Sequence, residues 1–122
     1  MNEIEKVSTL FSREQLFQAY LDVEAALARA QAKQNIIPEA AAHTISQMAQ
    51  ISNLNMDNIN QSLDKTGHPL VPLIWELDRV CGPDAGGYIH WGATTQNITQ
   101  TGKLLLVKQF HQLFLEKILK LL

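Results

Sequence analysis

GGYIHWGATTQNITQTGKLLLVKQFHQLFLEKILKLL, residues 86–122, decides the fold. Two glycines, an aromatic–His–aromatic run and another glycine lead to four consecutive uncharged polar residues, Thr94, Thr95, Gln96 and Asn97. A helical pattern then runs from near Thr95 or Gln96 to Leu122, and its apolar residues cover well over half of the circumference. At ~1.5 Å per residue this is a rod of about 40 Å. A helix apolar most of the way round needs neighbours on several sides. The four short helices that precede it cannot wrap its whole length, and the pattern reaches Leu122 without a Gly, Asn or Pro terminator. The expectation is therefore an N-terminal piece of a larger protein, or a protomer that buries this helix in an oligomer.

The helix start carries the first candidate chemistry. First-turn N–H groups have no partner within a helix, and the dipole places partial positive charge there. With no Asp or Glu in the turn, that end is free for an exogenous carboxylate or phosphate. The same four residues also serve as ordinary caps. Taken alone, they leave ligand binding and capping equally open.

Upstream, residues 1–11 show no clear period and are expected to form an arm. Ser12 and Gln15 have capping-box spacing, with Phe11 and Leu16 as the staple around it. Leu16, Tyr20, Val23, Leu27 and Ala30 then trace an apolar stripe, with Glu14, Asp22, Glu24, Arg29 and Lys33 mostly off it. That helix should run to about Gln34, with Asn35 as a left-handed stop. Pro38 suits the first turn of a second helix, whose alanines 40–42, Ile45, Met48 and Ala49 form a small-residue face. A third helix is predicted over roughly Met56 to Lys65, ended by Gly67. A fourth spans Leu70 to Val80, with Pro72 in its opening turn. Gly82 to Gly87 is a flexible connector. The pattern is all-α throughout.

With 122 residues, 46% of them hydrophobic and 18% charged, one ordinary globular domain is the default. A net charge of −2 without a basic stripe argues against nucleic acid. Cys81 is the only cysteine, which excludes an internal disulfide and suits a reducing compartment. No secretory signal and no membrane-span-like run is visible, so a cytoplasmic location is expected.

Four histidines are present. His68, in Gly67-His68-Pro69, reads first as a surface turn residue, and His90, between aromatic neighbours, as a half-buried one. Both lie in Gly-containing turns near the fourth helix, which shifts the balance towards a shared pocket for proton transfer or anion donation. His43 and His111 lie in helical patterns and read as ordinary. No His–His or His–Glu spacing suits a metal.

HWGATTQNITQT resembles the first signature region of the fumarase/aspartase superfamily. It is similar to the HWGATSQDxxDT of 3-carboxy-cis,cis-muconate cycloisomerases and the HYGxTSxDxxDT of adenylosuccinate lyases. EAALARAQA at 24–32, IIPEAA at 36–41 and TGHPLVPLI at 66–74 agree in order and spacing, so the likeness covers nearly the whole chain. It aligns His68 with the active-site histidine of the THDVVAF segment and His90 with the signature histidine.

The resemblance implies a protein several times longer. Residues 1–93 would be its N-terminal helical domain and 94–122 the start of a central bundle of long helices that assembles a homotetramer. Its reaction would be reversible anti elimination or addition on a succinyl-type dicarboxylate or tricarboxylate, or lactonisation, with no metal or organic cofactor. Thr94, Thr95, Gln96 and Asn97 would bind a substrate carboxylate, with His68 and His90 as supporting catalytic groups. The family's base, a serine in a mobile Gly-Ser-Ser loop, and a further histidine belong to segments beyond residue 122. The chain alone is thus expected to be inactive. It departs from the pattern at Thr95 (Ser), Asn97 (Asp) and Gln100 (Asp). At His68 the muconate enzymes often carry Asn, so the chain combines features of both branches. Two competing readings remain: a non-catalytic helical oligomerisation module, and a small-anion binding protein.

Overall fold

The computed structural model describes residues 2–122, which form six helices and no strand. These are α1 (Glu3–Leu10), α2 (Arg13–Lys33), α3 (Glu39–Met48), α4 (Met56–Thr66), α5 (Val71–Cys81) and α6 (Thr95–Leu121). Two short 3-10 turns, Ile51–Asn53 and Gly86–Tyr88, interrupt the connections.

The expected N-terminal arm is a helix instead; Met1 lies outside the described residues. Asn2 Oδ1 accepts the Glu5 N–H at 2.8 Å, and the Glu5 carboxylate accepts the Asn2 N–H at 2.9 Å. This reciprocal box satisfies two orphan donors, and packing on α2 and α6 supplies the support that eight residues lack alone.

α2 is the central element, with α3 packed on one side and α6 on another. Ser12 Oγ accepts the Gln15 N–H at 3.4 Å, and Asn35 stops the chain at φ 59°, both as the sequence predicts. Phe11, expected to staple onto Leu16, has its ring 6.4 Å from that of Phe110. The buried residues of α2 are Phe17, Ala19, Tyr20, Leu21, Glu24, Ala25 and Ala28, a set rotated from the predicted stripe. Double coverage is the reason. Ala19 joins Leu10 and Leu106 beneath α6, while Phe17, Leu21 and Ala28 enter the main core. Ala30 is exposed, and Glu24, read as lying off the stripe, is only 2% exposed.

The small side chains of Ala41 and Ala42 let α3 approach the core, and Ile45 is fully buried in it. Pro38 caps that helix one residue before its first turn. Gly67, at φ 63°, ends α4, and Pro72 sits in the opening turn of α5. Glu76 ties these two helices together. Its buried carboxylate accepts the Asn55 N–H at 2.9 Å, the Asn58 amide at 3.5 Å and a two-pronged contact from Arg79. The Arg79 hydrogen bonds hold the Glu76 carboxyl below its usual range, with burial opposing.

α6 starts at Thr95, with Thr94 as its N-cap, where the sequence placed it. Leu106 is buried against α2, whereas Leu104 is 65% and Leu119 71% exposed. The preceding helices leave much of its apolar surface uncovered, as the pattern predicts. Among the described residues no helix is long and apolar enough to cross a membrane.

Candidate active site

Two turns and one helix start carry every residue singled out from the sequence. The turn at 88–92 is the most constrained. Gly92 takes φ 67°, which glycine accepts freely, but His90 takes φ 60° with a side chain attached. A non-glycine residue there costs roughly 1–2 kcal/mol, so the surroundings must hold it. They do so through α2. His90 Nδ1 lies 2.6 Å from Glu24 Oε1, with the Glu24 side chain 1% and the His90 side chain 16% exposed. Two helical turns further on, Gln31 Nε2 donates to the Trp91 carbonyl at 2.6 Å. The Tyr88 and Trp91 rings, from the residues around it in the chain, lie 5.7 Å apart.

Burial pushes the Glu24 carboxyl above its usual range, while the hydrogen bond and charge of His90 pull the other way. Glu24 Oε2 and Gln31 Oε1 are buried and have no hydrogen-bond partner among the described residues. Sequence reasoning missed both residues. The available signal was a charged residue at the i+4 step from Tyr20, with Ala28 and Gln31 completing the same helical face.

His68 is half-buried and caps α5. Its Nδ1 accepts the N–H groups of Leu70 at 3.1 Å and Val71 at 3.2 Å, so its ring proton sits on Nε2. The Thr66 hydroxyl supports the turn by accepting the His68 N–H at 3.2 Å.

At the start of α6 the polar side chains are not used as backbone caps. The Thr94 hydroxyl donates to Asn97 Oδ1 at 2.8 Å, and no side chain caps the first-turn N–H groups. Thr95 is half-buried; Thr94, Gln96 and Asn97 are exposed. Thr99 and Thr101 donate back to the Gln96 and Asn97 carbonyls. No acidic residue occupies the first turn.

The structure thus joins His90 to Glu24, and Thr94 to Asn97. Among the described residues no hydrogen bond links His68 to His90, or either ring to the 94–97 group. Two surface grooves of about 460 and 410 Å³ flank α6, and neither is lined by these residues. His43 and His111 are exposed, as their helical settings predict. Burial and the nearby Asp78 push the Cys81 thiol up to about 11, so it is no ready nucleophile. Among the described residues no group of three His, Cys, Asp or Glu side chains is disposed to hold a metal.

No protein-family model matches the chain. Individual proteins do. It is 35% identical over 112 residues to an adenylosuccinate lyase of Methanocaldococcus jannaschii, covering 92% of this chain and 24% of that one. It is 38% identical over 104 residues to an N-acetyl-S-(2-succino)cysteine lyase of Dickeya dadantii, covering 85% and 23% respectively. A crystal structure of beta-carboxy-cis,cis-muconate cycloisomerase from Acinetobacter calcoaceticus superposes with a TM-score of 0.80 at 31% identity. That superposition covers 86% of this chain and 26% of the solved one. The chain therefore spans about a quarter of the length of the relatives it matches. Sequence and fold agree that it belongs to the fumarase/aspartase superfamily.

Proposed function

We propose that this chain supplies carboxylate-binding and proton-handling groups to a lyase or cycloisomerase of the superfamily. Such an enzyme acts by reversible anti elimination or addition on a succinyl-type dicarboxylate or tricarboxylate. The observation that carries the reading is the start of α6. It combines an uncharged first turn, N–H groups that no side chain caps, and the hydroxyl and amide groups of Thr94, Thr95, Gln96 and Asn97. Proton abstraction next to a carboxylate builds negative charge on that carboxylate. Fixed dipoles aimed at developing charge are usually the largest catalytic term. His68 offers an Nε2–H to the same kind of charge, and His90 is the ring held by a buried carboxylate.

Fumarate or succinate titrated into the labelled chain should move the backbone amides of Thr95 to Asn97, while succinamide should not. Thr95→Val should weaken that response roughly tenfold, the scale of one hydrogen bond to a charged group. Unmoved amides at millimolar succinate would sink the reading. The 122 residues by themselves are proposed to be inactive; turnover of adenylosuccinate or carboxymuconate by the purified chain would refute that.

Residues 94–122 are proposed as the start of a central bundle, distinct from the 1–93 helical domain. The uncovered apolar surface of α6 supports burial against further helices of a homo-oligomer in a cytoplasmic enzyme. The same surface is what favours the non-catalytic oligomerisation module as a second reading. Sedimentation should show self-association that Leu113→Asp with Phe114→Asp abolishes. A wild-type chain that stays monomeric at high concentration would remove this part.

A further inference from the structure

We propose that Glu24 is a positioning residue that sets the neutral His90 ring opposite in polarity to His68, so that one histidine presents a bare Nε2 and the other an Nε2–H. The inference deepens the carboxylate-site reading and rests on it only for the claim that both rings face a ligand. The polarity of His68 stands on hydrogen-bond geometry, and that of His90 on an ionised Glu24.

The His68 side is fixed by donors that cannot reverse. Two backbone N–H groups point at Nδ1, so Nδ1 accepts and Nε2 carries the proton. On the His90 side, Nδ1 meets a carboxylate oxygen at 2.6 Å. An ionised carboxylate only accepts, so in the neutral ring the proton sits on Nδ1 and Nε2 keeps its lone pair. Burial favours a protonated Glu24, which would donate to the ring instead, and the hydrogen bond and charge of His90 oppose that; the nitrogen pattern of the His90 ring decides between the two.

Backbone geometry shows that the His90 turn is held in place. The αL conformation of His90 is a local cost, and strain of this kind persists where the surrounding structure over-determines it. Here the ring is locked to α2 by Glu24, and the next peptide is locked to α2 by Gln31. A ligand held between the two rings would therefore meet one donor and one acceptor. His90 Nε2 is the atom at which a proton could be taken up, while the neutral His68 ring can only donate.

The test is long-range ¹H–¹⁵N correlation on the ¹⁵N-histidine-labelled chain, at a pH above the ordinary imidazole range. His43→Gln with His111→Gln removes the two exposed rings from the spectrum. The remaining rings should show opposite patterns: pyrrole-like Nδ1 with pyridine-like Nε2 for His90, and the reverse for His68. Glu24→Gln should turn the His90 pattern into a mixture, because an amide can accept or donate, and leave His68 unchanged. Glu24→Asp should restore the His90 pattern at least in part. A merely structural Glu24 would leave the tautomer untouched. Two rings of the same pattern, or a His90 pattern indifferent to Glu24→Gln, overturns the proposal. Should Glu24→Gln fail to fold, the wild-type spectrum decides by itself. Opposite patterns with no response of either ring to succinate would keep this inference and remove the carboxylate-site reading.

Discussion

His90→Ala should destabilise the chain by roughly 3–5 kcal/mol near neutral pH, the cost of stripping a buried charge of its partner. Glu24 would be left in the core with neither oxygen hydrogen-bonded, since Oε2 already lacks a partner. The loss should depend on pH with a definite sign. Burial raises the Glu24 carboxyl in the folded state, and the only opposing influence comes from His90. A carboxyl with a raised folded value favours the native state below its unfolded value and loses that contribution as pH climbs through the folded one. His90→Ala should therefore be close to wild type in acid and fall away as pH rises through and above the ordinary carboxylate range. Denaturant unfolding at several pH values measures this directly. His90→Gly should recover about 1 kcal/mol of the loss, because glycine accepts φ 60° freely. Glu24→Leu in the His90→Ala background should recover more, by removing the buried charge. Equal midpoints for wild type and His90→Ala at neutral pH would rule out a pair that supports the fold.

Gly102→Leu should release the first half of α6 from α2. A Cβ at residue 102 would lie 2.5 Å from Tyr20 Cδ1 and 3.0 Å from Cε1, and Tyr20 is only 1% exposed. Even Gly102→Ala should lower stability. Alanine gains ~1 kcal/mol of helix propensity, but overpacking a dense core costs about 1–3 kcal/mol. The leucine variant should lose cooperative unfolding and amide protection around Ile98 to Leu106. A higher melting temperature for Gly102→Ala would show that the helices can part at no cost.

The legible features were those with local causes. α6 could be placed at Thr95 because a glycine, a polar run and an unbroken apolar pattern follow one another. Asn35 and Gly67 were readable as stops because the left-handed region admits few residue types. α1 was hidden because its eight residues depend on a cap at Asn2 and on contacts with distant helices. Glu24 was misplaced for a different reason. A search for one apolar stripe finds the average direction of a helix covered on two sides, and a carboxylate inside that sector looks like noise. Its partner His90 lies 66 positions away, and no short-range pattern connects them. The four polar residues from Thr94 to Asn97 were legible as a row, but the pairing of the Thr94 hydroxyl with Asn97 Oδ1 in place of a backbone cap was not.

The capping of α5 by an imidazole places two separate demands on one residue. The Nδ1 atom of His68 does for Leu70 and Val71 what an asparagine carbonyl does at many helix starts. The backbone there asks only for an acceptor of about the right reach. His68→Asn should therefore leave the turn undisturbed, and it would change only the group presented on the side away from the helix. Helix capping and the chemistry of the outer ring nitrogen are thus separable at this one position.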